Sequence, residues 1–267
     1  MLRVHYNHKP ATIADLAPLA FAGFAHFTAM QTRGRAVRGL ELHLARLRSA
    51  SDELFGTHLP DGEVRAALAA AIDAGPADAS LACYISSRPG EFTHSPQTPD
   101  LDILVKIDAP ASAPEGPLAL DVVRHERYLP RIKHVGEAAK THLLRCASRR
   151  GFDDVAFLDA RGRLSEASIW NLAFWDGRRV LWPDAALLPG VTMQVVQRQL
   201  DRAGIDQQTR AIGLQDINTS LQAVVMNSWT PAVAVSRLGD RELDAGDDLV
   251  RMLHSAYERE PRTPVRT

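Results

Sequence analysis

The sequence predicts a mixed α/β (α+β) fold in two domains, and three observations carry that prediction. Short strand-like runs alternate with amphipathic helical stretches along the chain. The segment from Asp108 to Pro117 holds prolines at 110, 114 and 117 and little that could pack, so it reads as a linker. At 267 residues the chain is long enough for two ordinary domains, each with its own core. The expected layout is a small N-terminal domain over residues 1–112 and a larger one over 113–258. The polar tail 259–267, with two prolines, is expected to be disordered.

Within the first domain, Leu2 to Tyr6 and Phe24 to Thr32 read as strands, with turn chemistry at Arg33-Gly34-Arg35. Leu40 to Phe55 is a helix, because Leu40, Leu44, Leu47, Ala50 and Leu54 recur at spacings of three and four and Gly56 follows as a stop. Asp61 to Ala74 is a second helix ended by Gly75-Pro76. Leu81 to Ser86 and Leu101 to Lys106 are strands around a polar loop, 87–100.

Beyond the break, Leu118 to Arg124 is a strand. Glu137 to Arg150 is a helix with Ala139, Leu143, Cys146 and Ala147 on its apolar face, ended by Gly151. On that reading Lys140 is a solvated charge and Asp153-Asp154 a solvated turn pair. Val155 to Leu158, Ser168 to Trp175, Val180 to Trp182, Leu221 to Met226 and Val233 to Ser236 are strands. Val191 to Ala203 and Asp247 to Glu258 are helices.

Composition narrows the function classes. A formal net charge of −1 gives no electrostatic reason to expect nucleic acid or a membrane surface as partner. Cys83 and Cys146 are too few for a disulfide framework and lack metal-ligand spacing, so reduced thiols in a cytoplasmic protein are expected. His5 and His8 find no third ligand at suitable spacing, and no metal is expected. The N-terminus lacks a signal-peptide apolar core, and no run of apolar residues is long enough to span a bilayer. There is no Gly-x-Ser-x-Gly elbow, Walker loop or Gly-x-Gly-x-x-Gly.

One ordered set of residues carries chemistry. His43-Leu44-Ala45-Arg46-Leu47 lies on the first long helix. Lys133 precedes the helix that ends at Gly151, and the apolar run 155–158 follows. Then come Glu166-Ala167-Ser168-Ile169-Trp170-Asn171, Leu188-Pro189-Gly190-Val191-Thr192 at a helix start, and Asn227-Ser228-Trp229. In this order and spacing the chain resembles the class IV aminotransferases. These are the fold-type IV enzymes of pyridoxal 5'-phosphate, which include branched-chain and D-amino acid aminotransferases and aminodeoxychorismate lyase.

The resemblance covers roughly residues 24–240. It implies a two-domain fold with the cofactor in the interdomain cleft, and a homodimer. It makes Lys133 the Schiff-base lysine and Glu166 the partner of the ring nitrogen. Arg46, Val191, Thr192 and Ser228 would hold the phosphate, with Thr192 also capping its helix, and Asn171 would line the cofactor site. Phe27 and Arg88 would face the substrate, a small amino acid or amine, with a keto acid as acceptor.

Three departures are visible. Ala167 stands where the family has glycine, Trp170 replaces a small residue and would narrow the pocket, and Arg88 is shifted by one place in its loop. Amino transfer is the reading on family breadth. Aminodeoxychorismate lyase is the alternative, on Phe27-Thr28-Ala29 and the segment through Pro231 to Asp240. A cofactor-binding paralogue without turnover is the third reading.

Overall fold

The computed structural model describes residues 3–21, 23–88, 92, 98–244 and 246–266. The strand predicted from Leu2 therefore begins inside the described residues at Arg3. Most of the predicted substrate loop, 89–91 and 93–97, lies outside them. Contacts divide the chain into two units, residues 1–111 with 132–136 and 261–267, and residues 112–131 with 137–260.

The first unit is an antiparallel sheet with helices packed on it. β1 (Arg3–Tyr6), β2 (Lys9–Pro10), β3 (Ala25–Thr32), β5 (Ala79–Arg88) and β6 (Asp100–Asp108) lie in the order β2-β1-β6-β5-β3, while β4 (Ala36–Arg38) stands outside that sheet. β5 shows the clean alternation of a half-buried strand, its inward residues including Leu81, Cys83 and Ile85. These meet Leu40, Leu44 and Leu47 of α2 (Leu40–Phe55) and Val64, Leu68 and Ala71 of α3 (Asp61–Ala74) in one core. α1 (Ile13–Phe21) was not legible, because Pro18 falls inside it and breaks the helical pattern.

The tail corrects an expectation. Arg262–Pro264 pairs antiparallel with β4 and carries Val265 into the same core, at 3% exposure. Pro261 precedes the paired stretch and Pro264 ends it opposite Ala36, so neither proline prevents the pairing.

Residues 132–136 are spliced into this unit along β3. The Phe27 N–H donates to the Lys133 carbonyl at 2.8 Å, and the Val135 N–H donates to the Ala25 carbonyl at 3.1 Å. His26 and His134 form an antiparallel bridge between them.

Two histidines under this sheet are buried and neutral. His26 shares a hydrogen bond with Ser51 Oγ at 2.8 Å, and His43 shares one with Thr28 Oγ1 at 2.6 Å. Burial pushes His26 down to about 4; burial, helped by the Arg46 charge, pushes His43 down to about 3, both from 6.5. Between 6.5 and those values the unfolded chain binds protons that the folded chain does not, so acidification in that window favours unfolding. Urea unfolding should therefore show lower stability at about pH 5 than at about pH 7.5. Replacing both histidines with glutamine should flatten that slope.

The second unit is built on β7 (Leu118–Arg124), β8 (Asp154–Leu158), β9 (Leu164–Ala167), β10 (Asn171–Trp175), β11 (Val180–Pro183), β12 (Gln207–Arg210), β13 (Gln222–Met226), β14 (Val233–Leu238) and β15 (Arg241–Glu242). The pairings β10-β13-β14-β7-β8-β9 return to β10, which closes a ring of six strands. The closing bridge is Glu166 opposite Asn171. β11 and β12 extend from the other end of β10, and β15 pairs with β14.

The predicted strand 168–175 starts only at Asn171, and a separate strand, β9, precedes it across a break at 168–170. β9 was missed because all four of its residues are buried, which erases the period-two signal. α4 (Ala138–Arg149) covers Val155 and Phe157, and α5 (Val191–Arg202) with α6 (Asp248–Glu258) covers Trp182 and Val224. Gly151, at φ 84°, takes the left-handed turn that ends α4. Among the described residues no helix is long and apolar enough to cross a membrane.

Candidate active site

Glu166 is the centre of the second unit's polar residues, 5% exposed. Its Oε1 takes the Lys140 ammonium at 2.6 Å, with Arg127 Nη1 3.7 Å away, and its Oε2 accepts the Leu188 N–H at 3.2 Å. Arg127 Nη2 also pairs with Glu137 at 2.7 Å. A carboxylate this deep needs such partners to stay in place.

Lys140 therefore corrects the sequence reading: it is buried, not solvated. The buried side of α4 runs through Lys140, Leu143, Leu144 and Ala147, while Ala139 is exposed. That i, i+3, i+4, i+7 pattern holds in the sequence once a lysine is allowed on it. The Lys140 Nζ also lies 5.6 Å above the Phe157 ring.

Asn171, across the closing bridge, donates from Nδ2 to the Leu188 carbonyl at 2.7 Å. The same short segment, 188–192, thus bonds both Glu166 and Asn171 before entering α5. No side chain caps α5, and Gly190 occupies its cap position. Thr192 is inside the helix instead of capping it: its hydroxyl donates to the Asn227 carbonyl at 2.8 Å, tying the helix start to the turn that holds Ser228. Val191 and Thr192 leave their N–H groups at the positive end of the helix, a ready place for a phosphate.

Gly190 is required by close approach. A Cβ there would collide with Asn171 Oδ1, and Asn171 cannot swing away without breaking its bond to Leu188. Gly190→Ala should lower stability by about 1–3 kcal/mol and weaken anion binding at the helix start. Urea unfolding and phosphate titration read the two effects.

The two departures in the 166–171 motif have local explanations. Ala167 is a paired strand residue without a left-handed backbone, so a Cβ fits there without strain. Trp170 is 5% exposed and belongs to the core around Leu172 and Phe174, with its indole N–H donated to Asp154 Oδ2 at 2.8 Å. It is therefore a core residue, which corrects the reading of a narrowed pocket. Asp154 is buried, unlike the solvated residue expected, because it serves this tryptophan.

In the first unit, Lys133 is half-buried, and its Nζ lies 4.8 Å from the centroid of the Phe27 ring. Phe27 stacks on Tyr84 at 5.1 Å, so the ring beneath the ammonium is itself fixed. Arg46 is half-buried on α2, one turn from His43.

Arg88 ends β5 with more than half its side chain exposed, while its Nε pairs with Asp102 at 2.8 Å. Asp102 is 2% exposed, accepts from Asn7 Nδ2 at 2.9 Å and hydrogen bonds to Tyr6, whose hydroxyl is pushed up to about 12 by burial and then by Asp102. This anchor was invisible in the sequence, because its members come from three strands. Among the described residues no group of three His, Cys, Asp or Glu could hold a metal.

The family model for amino-transferase class IV matches residues 25–238. The fold is similar to that of a branched-chain aminotransferase from Thermoproteus uzoniensis with norvaline, at 16% identity, 98% of this chain, 99% of that chain and TM-score 0.83. A hypothetical aminotransferase from Mycobacterium tuberculosis in its PLP-bound form matches at 19% identity, 97% and 98% coverage and TM-score 0.78. A provisional 4-amino-4-deoxychorismate lyase from Legionella pneumophila matches at 14% identity, 91% and 93% coverage and TM-score 0.79. No curated protein matches the chain in sequence.

Proposed function

Because the chain belongs to the class IV amino-transferase family, we propose that it binds pyridoxal 5'-phosphate and transfers an amino group from a small amino acid or amine to a keto acid. The supporting observation is that a buried carboxylate and an uncapped helix start are locked together: Glu166 and Asn171 both bond Leu188, two residues before Gly190. The donor set fits the cofactor. A carboxylate suits a protonated ring nitrogen, and bare helix N–H groups behind a glycine suit a phosphate.

When bound, the cofactor supplies an electron sink for charge developing at the substrate alpha carbon. Glu166 accepts a hydrogen bond at the ring nitrogen, and Asn171 holds the wall beside it. Val191, Thr192, Ser228 and Arg46 hold the phosphate. Because the Thr192 hydroxyl proton is already given to Asn227, Thr192 contributes through its backbone N–H. Lys133 would hold the cofactor covalently and would carry the proton at the substrate alpha carbon, with Phe27 fixing its approach. Arg88, aimed by Asp102, binds the substrate carboxylate through its outer nitrogens. A homodimer is part of this reading.

Reconstitution with pyridoxal 5'-phosphate tests it. The protein should gain a visible absorbance band, an amino donor should bleach it, and a keto acid should be needed to restore it. Arg88→Ala should raise KM for a carboxylate-bearing donor by about 10–100-fold while leaving cofactor affinity unchanged. A protein that stays colourless sinks the enzyme reading, whereas one that colours but turns over no donor is the cofactor-binding paralogue. The lyase is the second reading, favoured by Phe27-Thr28 beside Lys133. Pyruvate and 4-aminobenzoate released from aminodeoxychorismate with no acceptor present would establish it over amino transfer.

A further inference from the structure

We infer that Lys140 is a positioning residue acting through Glu166: it anchors one carboxylate oxygen and weakens the site's hold on a protonated ring nitrogen. The inference rests on the reading of Glu166 as the ring-nitrogen partner. It assigns Lys140 a role distinct from covalent attachment. A pyridoxal ring carries its nitrogen and its aldehyde carbon at opposite ends, so an amine bonded directly to the nitrogen's carboxylate is at the wrong end to reach the aldehyde.

The geometry gives Lys140 its effect. Glu166 Oε1 is held by Lys140 Nζ at 2.6 Å and faces Arg127 Nη1 at 3.7 Å, which leaves Oε2, beside the Leu188 N–H, as the oxygen available to a ring nitrogen. Two carboxylates, Glu166 and Glu137, stand against two cations, Lys140 and Arg127. This cluster is already neutral, so a protonated ring would add a positive charge with no carboxylate of its own. Lys140 and Glu166 are both buried, where such charges are poorly screened. His125 also faces the cluster; burial and then the Lys140 charge lower its proton affinity, so it adds no competing cation. Lys140 therefore moderates the electron sink: Glu166 stays oriented while its negative charge is shared.

The test compares the wild type with K140M and K140R, each loaded with pyridoxal 5'-phosphate. The absorbance of the bound cofactor is titrated against pH, and cofactor affinity is measured from tryptophan fluorescence of the apoprotein. Removing the cation should move the absorbance transition of K140M to higher pH by about one unit, while K140R keeps the wild-type transition. Should K140M fold poorly, K140Q, which retains a hydrogen-bonding amide without the charge, should give the same shift. A wild type that loads while the uncharged variant titrates identically overturns this inference alone. A K140R transition displaced as far as that of K140M also overturns it. A wild type that takes up no cofactor overturns the proposed function, and this inference with it.

Discussion

Lys133→Ala is expected to lower the rate of amino transfer by about ten-thousand-fold without unfolding the protein. The side chain lies on the segment 132–136, whose attachment to β3 is made by backbone groups, the Lys133 carbonyl and the Val135 N–H. Alanine preserves both. What disappears is an amine placed over a fixed aromatic ring, which in this reading serves as both covalent anchor and proton carrier. The cofactor should still bind through its phosphate and ring nitrogen, so the variant should take it up reversibly, with the absorbance of the free aldehyde. Lys140→Met should instead keep covalent loading. Kinetics and absorbance on the two variants, side by side, check the prediction.

Glu166→Ala should be the most destabilising single change at the site, by about 3–5 kcal/mol. It leaves Lys140 buried without the carboxylate it touches and removes the acceptor of the Leu188 N–H. The same change loosens the segment that starts α5, because the Leu188 N–H loses its acceptor. Cofactor affinity should fall along with stability. Combining Lys140→Met with Glu166→Leu should recover much of the lost stability, because the orphaned charge goes with its partner, yet restore no activity. Urea unfolding of the two single variants and the double variant measures the coupling directly.

Most of the architecture could be read from the sequence, for reasons visible in individual elements. α2 and α3 announce themselves by leucine and alanine spacing, and β5 by the short apolar run from Leu81 to Ile85. The elements that escaped had lost their period: β9 is buried on both faces, α1 contains Pro18, and Arg262–Pro264 pairs despite its prolines. The site divides the same way. Residues that act through the backbone or local motifs, Gly190-Val191-Thr192 among them, could be located from their helix start. Lys140, Asp102 and Asp154 could not, since a charged residue reads as solvated until its distant partner is known. Lys140 finds Glu166 26 positions later and Asp102 finds Asn7 95 positions earlier. Trp170 was misplaced for the complementary reason: its polar partner, Asp154, lies 16 positions earlier, on β8.

The central claim is that Lys133, not the buried Lys140, carries the cofactor. Borohydride reduction of the loaded protein fixes the lysine–cofactor bond, and tandem mass spectrometry of the digested protein locates it. Pyridoxyl mass on Lys133, with Lys140 unmodified, is the result predicted. The same mass on Lys140 would contradict the assignment of both lysines.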